Sequence, residues 1–212
     1  MIHIRKMVEA APLQAGTDQD KTRGMQLIVD QVFALNTAGA DAKFRPFQRL
    51  PNRMLLWKGA RESSMASLLS QGLHVPTAEA PSASYPFGKG IYLQDTAAVA
   101  AEHCHMSVDG SGLLLLCEVA LGNSKEETRP GCLRKAPHTF HSLTGRGRWS
   151  YDPADLVDMK LTPSDVDVKG VIGLPQASHG KAESCVPFNQ YIVFDSSQLR
   201  PRFLVQVKRM PA

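Results

Sequence analysis

The pattern of apolar and polar positions along the chain predicts more strands than helices. Apolar, β-branched runs predict strands at 24–35, 54–57, 113–120 and 191–195. A last strand, 202–208, alternates and places its apolar side chains on one face. The intervening region 123–185 is rich in Gly, Pro and polar residues and is therefore predicted to consist mostly of loops.

Three short helices are predicted, all in the first half of the chain. One lies in the first fifteen residues, and a second spans 62–71 with Gly72 at its left-handed C-cap. A third is expected over 97–105, capped by Asp95 or Thr96. Because helices and strands do not alternate regularly, the fold class is predicted to be α+β and not a doubly wound sheet.

Length and composition favour one globular domain covering residues 1–212. With 43% hydrophobic and 21% charged residues, the chain falls among ordinary soluble proteins. No apolar run approaches the roughly 20 residues that span a bilayer, and no signal-peptide pattern follows the N-terminus. The cysteines stand at 104, 117, 132 and 185 without CxxC spacing. Reduced thiols in an intracellular protein are expected, and no metal site.

Positive charge is concentrated in one segment of a mildly basic chain. The formal net charge is +4. The densest group of cations is followed by two aromatic residues, which together would suit phosphate contact and base stacking. A solvated basic loop is the alternative interpretation. The segment comprises Arg129, Arg134, Lys135, Arg146 and Arg148, with Trp149 and Tyr151 after it.

Four segments in order resemble the catalytic domain of the poly(ADP-ribose) polymerases, most closely its DNA-dependent branch. They are FQRLPNRMLLWKGAR at 47–61, FGKGIYLQD at 87–95, HSLTGRG at 141–147 and NQYIVFD at 189–195. The resemblance implies two packed, mostly antiparallel sheets, a few short helices and a cleft that in the family holds NAD. The family's helical regulatory subdomain has no counterpart in these 212 residues.

The resemblance also implies where the catalytic groups would stand. The family breaks the nicotinamide–ribose bond with a His, a Tyr and a Glu, and these positions are Lys58, Tyr92 and Gln190 here. A lysine beside the cationic nicotinamide ring, roughly 4 to 6 Å away, would repel it by about 3 to 4 kcal/mol. Glutamine cannot stabilise the oxocarbenium-like transition state, a loss of about 3 to 4 kcal/mol.

Most of the remaining cleft positions are altered as well. The family's two serines correspond to Ala60 and Ala100, its second stacking tyrosine to His103, and an arginine to His74. Three positions are retained: Tyr85, Tyr92 and Gly59. The backbone of Gly59 would contact the nicotinamide amide. Packing explains the two tyrosines equally well, and backbone geometry explains the glycine.

These losses predict a catalytically inactive ADP-ribosyltransferase-like domain that binds no cofactor and serves as a scaffold or interaction subunit of a larger assembly. One alternative is a mono-ADP-ribosyltransferase that uses NAD with a rearranged site and takes its carboxylate from Glu79 or Glu183. Another is a module that binds nucleic acid or ADP-ribose. The family resemblance favours a nuclear location, and a mitochondrial one remains open.

Overall fold

A computed structural model describes residues 2–9, 26–77, 85–160, 168–177 and 183–210. The described chain mixes short helices with strands gathered into sheets, so the α+β prediction is confirmed. None of the described helices is long and apolar enough to cross a membrane. The helices are α1 (Ile2–Glu9), α2 (Ala40–Phe44), α3 (Glu62–Gln71) and α4 (Ala97–Ala101).

The strands of the described ranges form two main sheets and one small ribbon. In chain order they are β1 (Gln26–Ala34), β2 (Arg53–Gly59), β3 (Ile91–Leu93), β4 (Ser111–Ala120), β5 (Ser124–Glu127), β6 (Ser142–Gly145), β7 (Trp149–Ser150), β8 (Leu156–Asp158), β9 (Val168–Val171), β10 (Gln176–Ala177), β11 (Gln190–Val193) and β12 (Leu199–Met210). A six-stranded sheet has the order β1-β12-β4-β2-β9-β8, and a four-stranded sheet has the order β3-β11-β6-β5. Strands β10 and β7 pair separately. Only β2–β9 and β5–β6 are parallel among the described pairs, which confirms the mostly antiparallel arrangement.

The two faces of the six-stranded sheet carry different cores. Leu55 and Trp57 of β2 pack with α1 and α4 on one face. Met54 and Leu56 point to the other face, where they meet Leu93 and further residues of the four-stranded sheet. The alternation along β2 thus separates a helix-covered face from a face between the sheets.

A buried carboxylate ties three strands of the six-stranded sheet together. Glu118 of β4 has no exposed surface. Its Oε1 accepts a 3.0 Å hydrogen bond from Arg53 Nε, and its Oε2 accepts bonds of 3.0 and 2.8 Å from Arg200. Arg202 is a further ion-pair partner. Charge-assisted bonds on both oxygens compensate the burial of this anion.

Most predicted elements are confirmed, with two corrections. The helix predicted over 97–105 ends at Ala101, and Thr96 precedes it without making a side-chain cap bond. Gly72 has the expected positive φ of 85°, but its ψ of 178° is extended and not left-handed helical. The region 123–185 is mostly loop in its described part, as predicted, and also contains the short strands β5 to β10, because polar residues still pair through their backbones.

Candidate functional site

The predicted cleft corresponds to the place where strands β2 and β3 separate. Trp57 N–H donates to Gln94 O at 2.7 Å and Gln94 N–H donates to Trp57 O at 2.9 Å, an isolated bridge beyond which the strands diverge. Backbone groups alternate in direction along an antiparallel strand. Because Trp57 directs its N–H and C=O away from β4, Gly59 directs its own into the opening.

Gly59 is required by the close approach of helix α4. A Cβ at this position would lie 1.8 Å from Ala100 O and 3.2 Å from Cys104 Sγ. Ala100 itself has no exposed surface and contributes to the helix-covered core. The helix backbone therefore closes one wall of the opening, and a methyl group stands where the family has a hydroxyl.

Lys58 is an amine with no anionic partner in the part of the chain that the structure describes. It shares the face of β2 that packs towards the four-stranded sheet, and its side chain is half-buried. Burial lowers its pKa. The neighbouring Cys117 thiol has its pKa raised to about 12 by burial, so it stays protonated and supplies no negative charge.

His103 lies near Lys58 but reaches solvent. Its pKa is lowered by desolvation first, then by the charges of Lys58 and His105. A histidine with a pKa below its usual value is neutral at pH 7. The second stacking position therefore carries a neutral imidazole beside the amine.

Tyr92 has its hydroxyl fully occupied by the preceding turn. The hydroxyl oxygen accepts from Phe87 N at 3.0 Å and donates to Gly88 O at 2.7 Å. Burial raises its pKa to about 12. Its ring lies 5.6 Å from that of Tyr85 at an interplanar angle of 49°. Packing and turn geometry thus account for its retention.

Gln190 presents a buried acceptor that lacks a donor. Its Oε1 is buried and has no hydrogen-bond partner within the described residues. Ile192 pairs with Tyr92 across β11 and β3, so Gln190, two residues earlier, shares the face of Tyr92. An unsatisfied buried amide oxygen costs about 1 to 3 kcal/mol, which a ligand donor would recover.

The structure brings the predicted site residues together in two groups. Gly59 contacts Ala100 and Lys58 lies near His103 on the side of β2 and α4. Tyr85 packs against Tyr92 on the four-stranded sheet, and Gln190 shares the face of Tyr92. Across the described ranges, no hydrogen bond or ion pair links Lys58 with Tyr92 or Gln190.

Four further candidates lie elsewhere or outside the described residues. Ala60 is half-buried at the end of β2 and packs against the core between the sheets. His74 is exposed and lines a separate cavity of about 90 Å³ together with Lys43. Glu183 is exposed, and Glu79 lies outside the described residues.

Sequence reasoning missed a buried polar network beneath the cleft. Asp95 Oδ2 accepts from Asn189 Nδ2 at 3.0 Å and from Tyr191 OH at 3.1 Å, and Asn189 Oδ1 accepts from Gly147 N at 3.0 Å. Desolvation raises the pKa of Asp95, although these hydrogen bonds oppose the rise. The sequence did contain a signal for this network, because Asp95 ends the second motif and Asn189 begins the fourth. The network fixes β11 and hence Gln190.

The cations and aromatic residues of the basic segment are less available for contact with a nucleic acid than the sequence suggests. Arg146 pairs with Glu126, and Arg148 donates to Ser184 O at 3.0 Å. Trp149 and Tyr151, expected as stacking aromatics, pack partly buried against the two main cores. The exposed cations without a described partner are Arg129, Arg134 and Lys135.

That loop is nevertheless held in a defined position beside the cleft. Gly131 N–H donates to Pro86 O at 2.7 Å, and Lys89 N–H donates to Leu133 O at 2.8 Å. Gly88 allows this contact, since a Cβ there would lie 2.1 Å from Leu133 O. The loop therefore rests on the turn that binds the Tyr92 hydroxyl.

Comparison with known proteins agrees with the motifs and the fold. The family model of the poly(ADP-ribose) polymerase catalytic domain matches residues 9–209. Poly [ADP-ribose] polymerase 1 of Danio rerio is 38% identical over 183 residues, which is 86% of this chain and 17% of that protein. The protein of the same name from Xenopus laevis is 37% identical over 91% of this chain and 19% of its own length. That from Arabidopsis thaliana is 36% identical over 86% of this chain. The chain thus spans less than a fifth of the length of these relatives.

Proposed function

The chain belongs to the poly(ADP-ribose) polymerase catalytic domain family, and on that premise we propose that it is an inactive member that serves as a scaffold or interaction subunit. The observation that carries the proposal is Gln190. A neutral amide, with its oxygen buried and unpartnered, stands where the family's chemistry needs a carboxylate.

The chemistry explains why this one change matters. As nicotinamide leaves, positive charge develops on the ribose, and a fixed negative group lowers the energy of that state. An amide can accept a hydrogen bond, but it provides no net charge and cannot take a proton from an acceptor hydroxyl. In the described residues, no carboxylate bonds to Lys58, Tyr92 or Gln190 in its place.

Incubation with NAD labelled in the adenylate part tests the proposal. We expect no label to become attached to the chain, and the same background for the wild type and for Gln190→Ala. Labelling of the wild type that is lost in Gln190→Ala would show that the site still works. Such labelling would support the alternative of a mono-ADP-ribosyltransferase with a rearranged site.

The scaffold role is supported by what the chain retains. The strands, the turn glycines and the buried Asp95–Asn189 network are kept while the chemical groups are replaced. Affinity purification of the native protein tests this role. The proposal expects elution in a stable complex at a larger hydrodynamic size, whereas elution of the chain alone at every salt concentration would contradict it.

Nucleic-acid binding is a second candidate, favoured by one observation. Arg129, Arg134 and Lys135 lie exposed on a fixed loop, and none has a partner within the described residues. Contacts of this kind reach phosphates and are sequence-independent. Retention on a polynucleotide column that falls steeply with salt would support binding, and elution that is indifferent to salt would remove this candidate.

A further inference from the structure

We propose that five arginines around the turn 45–50 form a docking surface for an acidic segment of a partner protein. The surface lies at the start of β2, at the opposite end of that strand from the predicted cleft. The proposal deepens the interaction role proposed above and rests on it. This arginine surface comprises Arg45, Arg49, Arg53, Arg200 and Arg202.

The inner part of the arginine surface is assembled on the buried carboxylate of β4. Arg53, Arg200 and Arg202 all pair with Glu118. Arg53 Nη1 also donates to Gln48 O at 3.3 Å, a contact that ties the turn 45–50 to β2. The start of β2, the end of β4, the start of β12 and the turn are therefore joined at one place.

The outer part of the surface stands on a fixed turn. Phe47 N–H donates to Phe44 O at 2.9 Å, which closes the chain directly after α2. Phe44 is buried, and the guanidinium carbon of Arg200 lies 4.9 Å from the centre of its ring. Arg45 and Arg49 belong to this turn and are exposed. The turn thus presents two cations beside the three that surround the buried carboxylate.

Positive charge exceeds negative charge at the arginine surface. Its contacts bring in two carboxylates, the buried Glu118 and the exposed Asp41, whose Oδ1 accepts from Arg200 Nη1. A third, Asp195, precedes the turn 196–198, which packs against α2. Among the described residues, five guanidinium groups thus face three carboxylates. Because arginine keeps its proton at any physiological pH, this excess persists and attracts an anionic partner.

The contacts already made show that these guanidinium groups accept carboxylates. Arg200 Nε and Nη2 lie 3.0 and 2.8 Å from Glu118 Oε2, and its Nη1 pairs with Asp41 on the surface. The planar guanidinium matches the geometry of a carboxylate with two donors at once. An exposed ion pair is weak, so a carboxylate of a partner can take the place of Asp41.

The turn 45–50 also presents apolar surface between its cations. Phe47 and Leu50 are half-buried, whereas Phe44 is buried against Arg200. A half-buried ring is a poor platform for the stacked bases of a nucleic-acid strand. It suits the apolar side chains of a peptide, whose carboxylates then reach the arginines around it. The geometry therefore favours an acidic peptide that carries Leu or Phe over a nucleic acid.

Fluorescence anisotropy with a labelled peptide tests the arginine surface. The peptide has pairs of Glu separated by Leu or Phe, and a matched peptide has Gln in place of every Glu. We expect the matched peptide to bind the wild type at least about tenfold more weakly than the acidic one at about 50 mM salt.

Two double variants with the same change of charge locate the binding surface. Arg45→Glu with Arg49→Glu should weaken binding of the acidic peptide at least about tenfold. Arg129→Glu with Arg134→Glu changes two exposed arginines of another loop and should stay within about twofold of the wild type. The neutral pair Arg45→Gln with Arg49→Gln should still lose at least about threefold, which keeps the test valid if charge reversal unfolds the chain.

Each outcome bears on the proposal. Equal affinity for the two peptides, equal losses in the two charge-reversed variants, or an unchanged affinity in the neutral pair would overturn it. Absence of peptide binding, or tighter binding of a DNA oligonucleotide than of the acidic peptide, would also overturn it. A native protein that elutes in a complex without binding the peptide would overturn the docking surface alone. Peptide binding by a chain that always elutes alone would support the surface and contradict the interaction role.

Discussion

At the scale of single residues, Lys58 is the most unusual group in the structure. It places an ionisable amine at the inner end of β2, where burial opposes its charge and no anion among the described residues compensates it. The sequence predicted a cation at this position but not its surroundings. It also gave no sign that Lys58 lies on the face of β2 that packs towards the four-stranded sheet, because the preceding run 54–57 is apolar and buried on both faces.

Replacing the amine should make the protein more stable. Lys58→Met keeps the apolar stem and removes the buried charge, so we expect the free energy of unfolding to rise by about 1 to 2 kcal/mol at pH 7. Chemical denaturation measures the change. Lys160→Met, on the surface, is the control and should stay within about 0.5 kcal/mol of the wild type. A loss of stability in Lys58→Met would mean that the amine has a partner.

The advantage of Lys58→Met should depend on pH. The pKa of Lys58 is lowered in the folded protein from 10.5, so between the two values the unfolded chain binds the extra proton. The stability contribution of this group therefore rises with pH through that window. The stabilisation by methionine should be largest below the folded pKa and should vanish as pH approaches 10.5. A gain that is constant from pH 6 to pH 10 would contradict this origin.

Restoring the family's chemical groups should require several changes together. Gln190→Glu alone returns the carboxylate but leaves Lys58 and the two methyl positions, so we expect no measurable release of nicotinamide. A variant with five substitutions combines Lys58→His, Ala60→Ser, Ala100→Ser, His103→Tyr and Gln190→Glu. Its rate of nicotinamide release should be at least about a hundredfold above the background level expected for the single variant, since each such group typically contributes a factor of that size. Equal rates for the two variants would place the defect elsewhere.

At the scale of elements, the cleft depends on the contact between β2 and α4. The existence of both elements could be predicted from sequence, but the end of α4 could not. The residues of its last predicted turn form tighter backbone bonds, from His103 N–H to Ala100 O at 3.1 Å and from Cys104 N–H to Ala101 O at 3.0 Å, and His105 then has a positive φ of 49°. Residues 102–105 include no Gly or Pro that would end a helix, so the tertiary path into β4 ends it.

A methyl group at Gly59 should break this contact. Gly59→Ala puts a Cβ 1.8 Å from Ala100 O, a backbone atom that cannot move alone, so β2 and α4 must separate. We expect a loss of about 2 to 4 kcal/mol in the free energy of unfolding. Gly131→Ala is the matched control, because nothing lies within 4 Å of its Cβ. Similar stabilities of the two variants would show that the contact is looser than described.

At the scale of the whole molecule, sheet pairing and one buried ion cluster hold the domain together. The motifs identified the family and so predicted the two packed sheets. The strand order and the pairing of 123–185 could not be predicted, because those strands are short, polar and joined to distant partners. The Glu118 cluster was also missed, since its arginines lie 65 to 84 residues from Glu118 in sequence.

Removing the charge of Glu118 should weaken the six-stranded sheet. Glu118→Gln leaves the guanidinium groups of Arg53, Arg200 and Arg202 without their shared carboxylate, and we expect a loss of about 3 to 5 kcal/mol. Asp158→Asn removes one partner of an exposed pair with Lys169 and should cost at most about 1 kcal/mol. Comparable losses in the two variants, measured by urea unfolding, would contradict the central role of Glu118.

The rate at which the wild-type chain releases nicotinamide from saturating NAD tests the central claim most directly. We expect the released nicotinamide to match the blank without protein over hours, because an amide at position 190 offers no negative charge to the breaking bond. Release above the blank in proportion to protein concentration, and abolished by Gln190→Ala, would show that the cleft is a working active site.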